Sequence, residues 1–166
     1  MAALPDAEAL CAGLARALRA RTTANAAMVG IHTGGAWVAE RLHAALGLAE
    51  PLGLIDPAFY RDDFAQQGLA RNPRRSKIPF EVAGKDLLLV DDVLFTGRTV
   101  RAAMNELFDY GRPASIALVV LAERDGRQLP ICAQHAGARI EVPGGMRLRL
   151  QRSDAGRLSL ELERAA

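Results

Sequence analysis

The sequence predicts an α/β fold, an open and mainly parallel sheet flanked by helices. Three observations lead there. Apolar strands alternate with amphipathic helices over the first 122 residues. The run Leu87-Leu88-Leu89-Val90 is continuously apolar, as a strand covered on both faces must be. The chain is 166 residues long, 50% hydrophobic and 24% charged, which suits one domain with a core and a polar surface.

The elements follow in order. Ala7, Leu10, Cys11, Leu14 and Leu18 recur at helical spacing behind Asp6, a residue type that caps helix N-termini, and predict a helix over 7–20. Ala27 to Ile31 is a short apolar strand. His32-Thr33-Gly34-Gly35 turns the chain into a second helix, 36–46, which Gly47 stops. Pro51 to Ile55 reads as another strand. Residues 64–80 break the pattern with Gly68, Asn72, Pro73 and Pro79, and carry Arg71, Arg74, Arg75 and Lys77 without one acid. After the 86–90 strand, Val100, Ala103, Met104, Leu107 and Phe108 form one helical stripe ending at Gly111. Ser115 to Ala122 is the next buried strand. Met146, Leu148 and Leu150, then Leu158, Leu160 and Leu162, alternate with polar residues around Ser153-Asp154-Ala155-Gly156, predicting a closing hairpin that adds strands near one end of the sheet.

Composition narrows function. The charges nearly cancel, 21 basic against 19 acidic, which excludes a polycationic nucleic-acid coat and an acidic disordered tail. Aromatics at 5% argue against base stacking as the main binding device. No apolar run approaches the ~20 residues of a membrane span, and the first residues lack the basic and apolar regions of a signal peptide. Two cysteines, Cys11 and Cys132, make neither a disulfide framework nor a four-ligand metal site. A cytoplasmic protein without membrane contact is the expectation.

Chemistry concentrates in Leu88-Leu89-Val90-Asp91-Asp92-Val93-Leu94-Phe95-Thr96-Gly97-Arg98-Thr99-Val100. A buried strand delivers two carboxylates at its carboxyl end, where open α/β sheets bind ligands. Thr96-Gly97-Arg98-Thr99 then opens a helix, whose unpaired N–H groups and dipole attract an anion. Carboxylates beside an anion cradle suit a sugar phosphate. Other phosphate motifs, G-x-x-x-x-G-K-[ST] and G-x-G-x-x-G after a strand, are absent, as is a G-x-S-x-G nucleophile elbow.

Residues 88–100 resemble the phosphoribosyl-pyrophosphate (PRPP) signature of type I phosphoribosyltransferases. Val29-Gly30-Ile31-His32-Thr33-Gly34-Gly35, Tyr60-Arg61-Asp62-Asp63, Phe108 to Ile116 and Leu129-Pro130-Ile131 extend the likeness in order and spacing. Together, over 6–163, they resemble the PyrR family of pyrimidine operon regulators with uracil phosphoribosyltransferase activity. The resemblance implies the type I phosphoribosyltransferase fold in a single domain, 1–166. It implies a lid loop at 64–80, a small base-binding hood at 129–143 and the C-terminal hairpin.

It also implies uracil and PRPP as substrates and UMP and pyrophosphate as products. Asp91 and Asp92 would hold the ribose hydroxyls and meet Mg²⁺ through substrate or water. Residues 96–99 would cradle the 5′-phosphate, and His32, Thr33, Gly34 and Gly35 would form the pyrophosphate loop. Arg61 is assigned to catalysis with the two aspartates. This chain departs from the family pattern in three places. Gly34 stands where many members carry arginine, leaving Arg61 or the 64–80 loop to supply that charge. Cys132 replaces a common arginine and is expected to be a small packed residue. Ala138-Arg139 replaces a Gly-flanked Lys-Asn pair. His43 is expected at the surface, and Trp37 and Val38 in the core or at a subunit contact.

Family members of the attenuating type bind pyrimidine-operon leader RNA with UMP. Arg16, Arg19 and Arg21, or Arg147, Arg149, Arg152 and Arg157, are the candidate patches, with solvated faces paired to glutamate as the plainer reading. The alternative to an active enzyme is a UMP- or PRPP-sensing RNA-binding regulator with little or no catalysis. A homodimer or homotetramer is the expected assembly.

Overall fold

The computed structural model describes residues 3–57 and 76–165. Helix α1 (Ala7–Arg19) starts where expected, with Asp6 accepting a hydrogen bond from the Ala9 N–H at 2.9 Å. Strand β1 (Ala26–Ile31) leads into α2 (Gly34–Leu46), which ends at Gly47 with φ +61°. Short β2 (Gly53–Ile55) follows. Then come β3 (Asp86–Leu94), α3 (Arg98–Tyr110), β4 (Ser115–Arg124), β5 (His135–Ile140), β6 (Met146–Arg152) and β7 (Leu158–Arg164).

Five strands form one parallel sheet in the order β2-β1-β3-β4-β5. The apolar β1 and β3 lie at its centre, as their unbroken burial requires. Two packed layers cover the sheet. On one face α1 and α2 join the hairpin leucines Leu148, Leu150, Leu158 and Leu160 in a continuous apolar layer. On the other, Val100, Ala103 and Leu107 of α3 pack with Val82 and the outward face of the central strands.

Several expectations need correction. The hairpin β6-β7 does not extend the parallel sheet but forms its own two-stranded antiparallel sheet. Its alternating leucines need an apolar partner, and α1 and α2 supply one. Strand β3 runs past the expected 86–90 to Leu94, so Asp91 and Asp92 lie within the carboxyl end of the strand, Asp91 in register with Val120 of β4. Phe108 is not core: it is 54% exposed. At about 100° per residue it lies a full step round the helix from buried Leu107, beyond the stripe. The expected hood segment divides. Up to Gln134 it has no regular structure, and from His135 it is the fifth strand of the main sheet. Cys132 is exposed rather than packed.

Topology places a crevice. The chain leaving β1 enters α2 on one face, while the chain leaving the adjacent β3 enters α3 on the other. Between such diverging connections, outside the strand carboxyl ends, open α/β sheets bind their ligands.

Candidate active site

The loop after β1 and the end of β3 meet in that crevice. A Cβ built on Gly35 would lie 2.6 Å from the Val90 carbonyl oxygen and 2.9 Å from Asp91 Cα, distances no side chain tolerates. At Gly34 the Asp92 side chain fills the same space, with its Cγ 2.5 Å and its Cβ 2.9 Å from where a Cβ would be. The two glycines let loop 32–35 lie flat against the paired carboxylates. Gly34 and Gly35 also open α2, so their N–H groups are among those a helix leaves unpaired.

Asp91 is 6% exposed, and its Oδ1 accepts the Asp92 N–H at 3.0 Å. Both carboxylates lie against loop 32–35, the Asp91 Oδ1 3.1 Å from where a Cβ on Gly35 would be and the Asp92 side chain against Gly34. His32 is buried at the start of the loop, and its backbone N–H donates to the Ile55 carbonyl at 2.8 Å, tying the loop to the end of β2.

The second half of the site begins at Phe95. Gly97 has φ +95°, a conformation that favours glycine, and it brings the chain round into α3. Thr96 is buried, and its Oγ accepts the Arg98 N–H at 3.2 Å. The segment 124–131 backs this turn. Thr96 O accepts the N–H groups of Gln128 and Leu129 at 3.0 and 3.1 Å, and a Cβ on Gly97 would touch Ile131. Arg98 is held by Gln128, whose Oε1 accepts from both Nε and Nη2 at 3.1 Å. Its side chain braces the turn from the side.

Sequence reasoning missed Arg124, Arg127 and Gln128. Their one legible signal was position, since they lie at and just after the carboxyl end of β4, which borders the same crevice. Burial pulls the Arg124 guanidinium below its ordinary range, and neighbouring Arg147 adds to that.

Other residues fall outside the site. Val38 is core, and Trp37 lies under the Arg152 guanidinium, 4.7 Å from its ring centroid. His43 is half-buried rather than surface, with Nε2 2.8 Å from the Glu50 carbonyl. Cys11 is packed in α1, and its thiol is pushed up to about 11, first by burial. Of the arginines considered for RNA, Arg149 pairs with Glu163, Arg152 with Glu40 and Arg157 with Asp6, while Arg19 donates to the Ala45 carbonyl. Arg16 and Arg21 are exposed on and just after α1. Tyr60, Arg61, Asp62, Asp63 and residues 64–75 of the expected lid lie outside the described residues. Among the described residues, no helix is long and apolar enough to cross a membrane.

Comparison with known proteins gives three concordant results. The phosphoribosyl transferase domain family matches residues 2–136. A bifunctional protein PyrR of Pseudomonas fluorescens is 47% identical over 164 residues, 96% of either chain. Another, of Nitrosococcus oceani, is 46% identical over 92% of this chain and 87% of its own. Among solved structures, a hypoxanthine phosphoribosyltransferase of Staphylococcus aureus superposes with a TM-score of 0.64 at 21% identity. The match covers 82% of this chain and 73% of that one. A purine phosphoribosyltransferase of Pyrococcus horikoshii gives 0.61 at 24% identity, over 81% and 82%. At those identities the structures speak for the fold alone.

Proposed function

The chain belongs to the phosphoribosyltransferase family and, within it, to the PyrR proteins; from that premise we propose that it joins uracil to PRPP, releasing pyrophosphate and forming UMP, and that UMP makes it a regulator of pyrimidine biosynthesis genes. The observation that carries the catalytic reading is the contact between the Asp91–Asp92 strand end and loop 32–35 at the mouth of the crevice.

The residues divide the ligand between them. Asp91 and Asp92 bind the ribose 2′- and 3′-hydroxyls as acceptors. The amides of 96–99, at the positive end of the α3 dipole, take the 5′-phosphate. The amides of Gly34 and Gly35, at the start of α2, face the pyrophosphate. Displacement at the anomeric carbon passes through a cationic sugar, so positioning and electrostatics suffice without a covalent nucleophile. The donor set suits Mg²⁺, since both side chains offer hard carboxylate oxygens and one Asp91 oxygen is already engaged by the Asp92 N–H. When bound, that ion supplies charge neutralisation for the departing pyrophosphate, with substrate oxygens and water completing its shell. Arg61 and loop 64–80 are assigned the closing role over PRPP, and segment 129–143 the base contacts.

A second reading is favoured by one observation. Asp92 fills the space a side chain at position 34 would need, so the loop offers pyrophosphate amides but no guanidinium. A UMP-sensing RNA-binding regulator with feeble catalysis follows if those amides do not suffice.

One assay separates the two. Protein, Mg²⁺, PRPP and uracil are incubated, and UMP and pyrophosphate are followed, beside calorimetric titration with UMP. Turnover supports the enzyme; UMP binding without turnover supports the sensor. Asp91→Asn with Asp92→Asn lowers turnover at least about 10²-fold, the scale of losing a preorganised charge. Full activity in that variant refutes the site. A gel shift with a leader hairpin, with and without UMP and across salt, reads the RNA function.

A further inference from the structure

Phe95 joins the carboxylate half of the site to the phosphate half, yet it belongs to neither apolar layer of the domain. One short segment holds it instead. The Arg124 guanidinium carbon lies over its ring, 4.1 Å from the centroid. Arg127 Nη1 donates to its carbonyl oxygen, and Arg127 Nη2 is kept in place by Glu123 at 3.6 Å. Gly126 lies against the ring edge so closely that a Cβ there would come within 3.1 Å of Cδ2.

Arg124 is otherwise lightly held. Its Nη1 reaches the Met146 carbonyl at 3.4 Å, and its buried Nε has no hydrogen-bond partner among the described residues. No acidic side chain forms an ion pair with it among those residues. Its principal contact is therefore the face of one aromatic ring, and that ring sits one residue before the expected phosphate cradle.

We propose that Arg124 is a positioning residue for the 5′-phosphate, holding Phe95 by its ring so that the amides of residues 96–99 converge on one anion. The inference rests on reading 96–99 as the phosphate cradle. Arg124 touches neither reacting atom in this role; it fixes the backbone that does. Loss of the cation then weakens ligands that carry the phosphate and spares those that lack it. A merely structural residue weakens both alike.

Calorimetric titration with UMP and with uridine tests this on the wild type, Arg124→Met, Arg124→Lys, Phe95→Leu and the Arg124→Met, Phe95→Leu double variant. Arg124→Met is expected to weaken UMP by about tenfold, the scale of a desolvated cation over a ring, with uridine unchanged. KM for PRPP rises by a similar factor while kcat moves less. Arg124→Lys, which keeps a cation over the ring, restores most UMP affinity. The double variant is no weaker than either single one, because both remove the same contact. The proposal is overturned if Arg124→Met leaves UMP affinity intact, weakens UMP and uridine equally, or adds its effect to that of Phe95→Leu. Should Arg124→Met not fold, Phe95→Leu carries the same test, with an unchanged UMP affinity overturning it. A wild type that binds neither UMP nor PRPP overturns the cradle reading itself, and the inference with it.

Discussion

The two ends of strand β3 carry the same residue type in opposite conditions. At the amino end, Asp86 accepts from the Thr23 hydroxyl and from the Ser115 hydroxyl, each at 2.8 Å, and these bonds lower its pKa, Ser115 foremost. It stitches the strand to β4 and to the segment that leads into β1. At the carboxyl end, Asp91 and Asp92 meet loop 32–35, where glycines replace side chains. One carboxylate is held by hydroxyls of two neighbouring segments; the other two lie at the strand end against a glycine backbone pressed unusually close. The difference teaches where to look along a strand. A carboxylate with neighbouring hydroxyls on both oxygens is structure, and a pair beside bare glycine backbone is a candidate site.

The sharpest way to break the comparison is to put a side chain on the glycine end. Gly35→Ala forces a methyl against the Val90 carbonyl and the Asp91 backbone, neither of which is a flexible side-chain tip. The loop must move off the carboxylates, and misplacement of about 1 Å costs roughly 10²-fold in rate. The expected result is that loss in kcat/KM for UMP formation with a cooperative thermal transition retained. Gly34→Ala should also lower kcat/KM, because its methyl meets the Asp92 side chain, Cβ included at 2.9 Å, and pushes a ribose ligand out of place. Full activity in both variants would show that loop backbone contact does not govern the site.

Next in size is the other end. Asp86→Ala removes the acceptor for Thr23 and Ser115 at a distance from the crevice. It should lower the thermal midpoint by a few degrees and leave kcat and KM unchanged. A change in KM for PRPP would mean that the strand transmits strain from one end to the other.

Sequence made the central fold legible because burial writes a continuous signal. Ala26–Ile31 and Leu87–Val90 have only one reading at that length. The Asp91–Asp92 pair, the Gly34-Gly35 loop and the Thr96–Thr99 turn were legible for the same reason, as polar or glycine breaks at the ends of apolar runs. Strand β5 was not. Its His135-Ala136-Gly137-Ala138 start is short, small and half-exposed at a sheet edge, so no period marks it. Phe108 misled because an aromatic at i+8 counts as apolar in a stripe although the helix has already rotated it outward. Arg124 and Gln128 were marked by position alone, since their partners Phe95 and Arg98 lie about 30 residues earlier and pairing across that distance has no local pattern.

The smallest expected effect concerns neither end of β3 but the clasp beneath it, and it adds a second carboxylate held by structural partners. Glu8 on α1 accepts from Arg41 of α2 at 3.2 and 3.3 Å and from the Leu158 N–H of the hairpin at 2.9 Å, joining three elements of one layer. The Arg41 guanidinium first, and the Leu158 amide after it, hold the Glu8 carboxyl below the ordinary glutamate range. A carboxyl whose pKa is depressed by folding stabilises the native state fully above its unfolded value. That contribution is lost as pH falls through the folded value. The wild type should therefore lose thermal stability on acidification through and below the ordinary glutamate range, more steeply than Glu8→Gln, while at neutral pH the variant is the less stable of the two. Glu8 is partly exposed, so solvent screening keeps the difference small, and added salt should shrink it further. Thermal midpoints of both proteins across the acid range, at low and high salt, measure it. Parallel curves would remove Glu8 from the list of carboxylates that folding depends on, and leave Asp86 as the stronger example of a satisfied one.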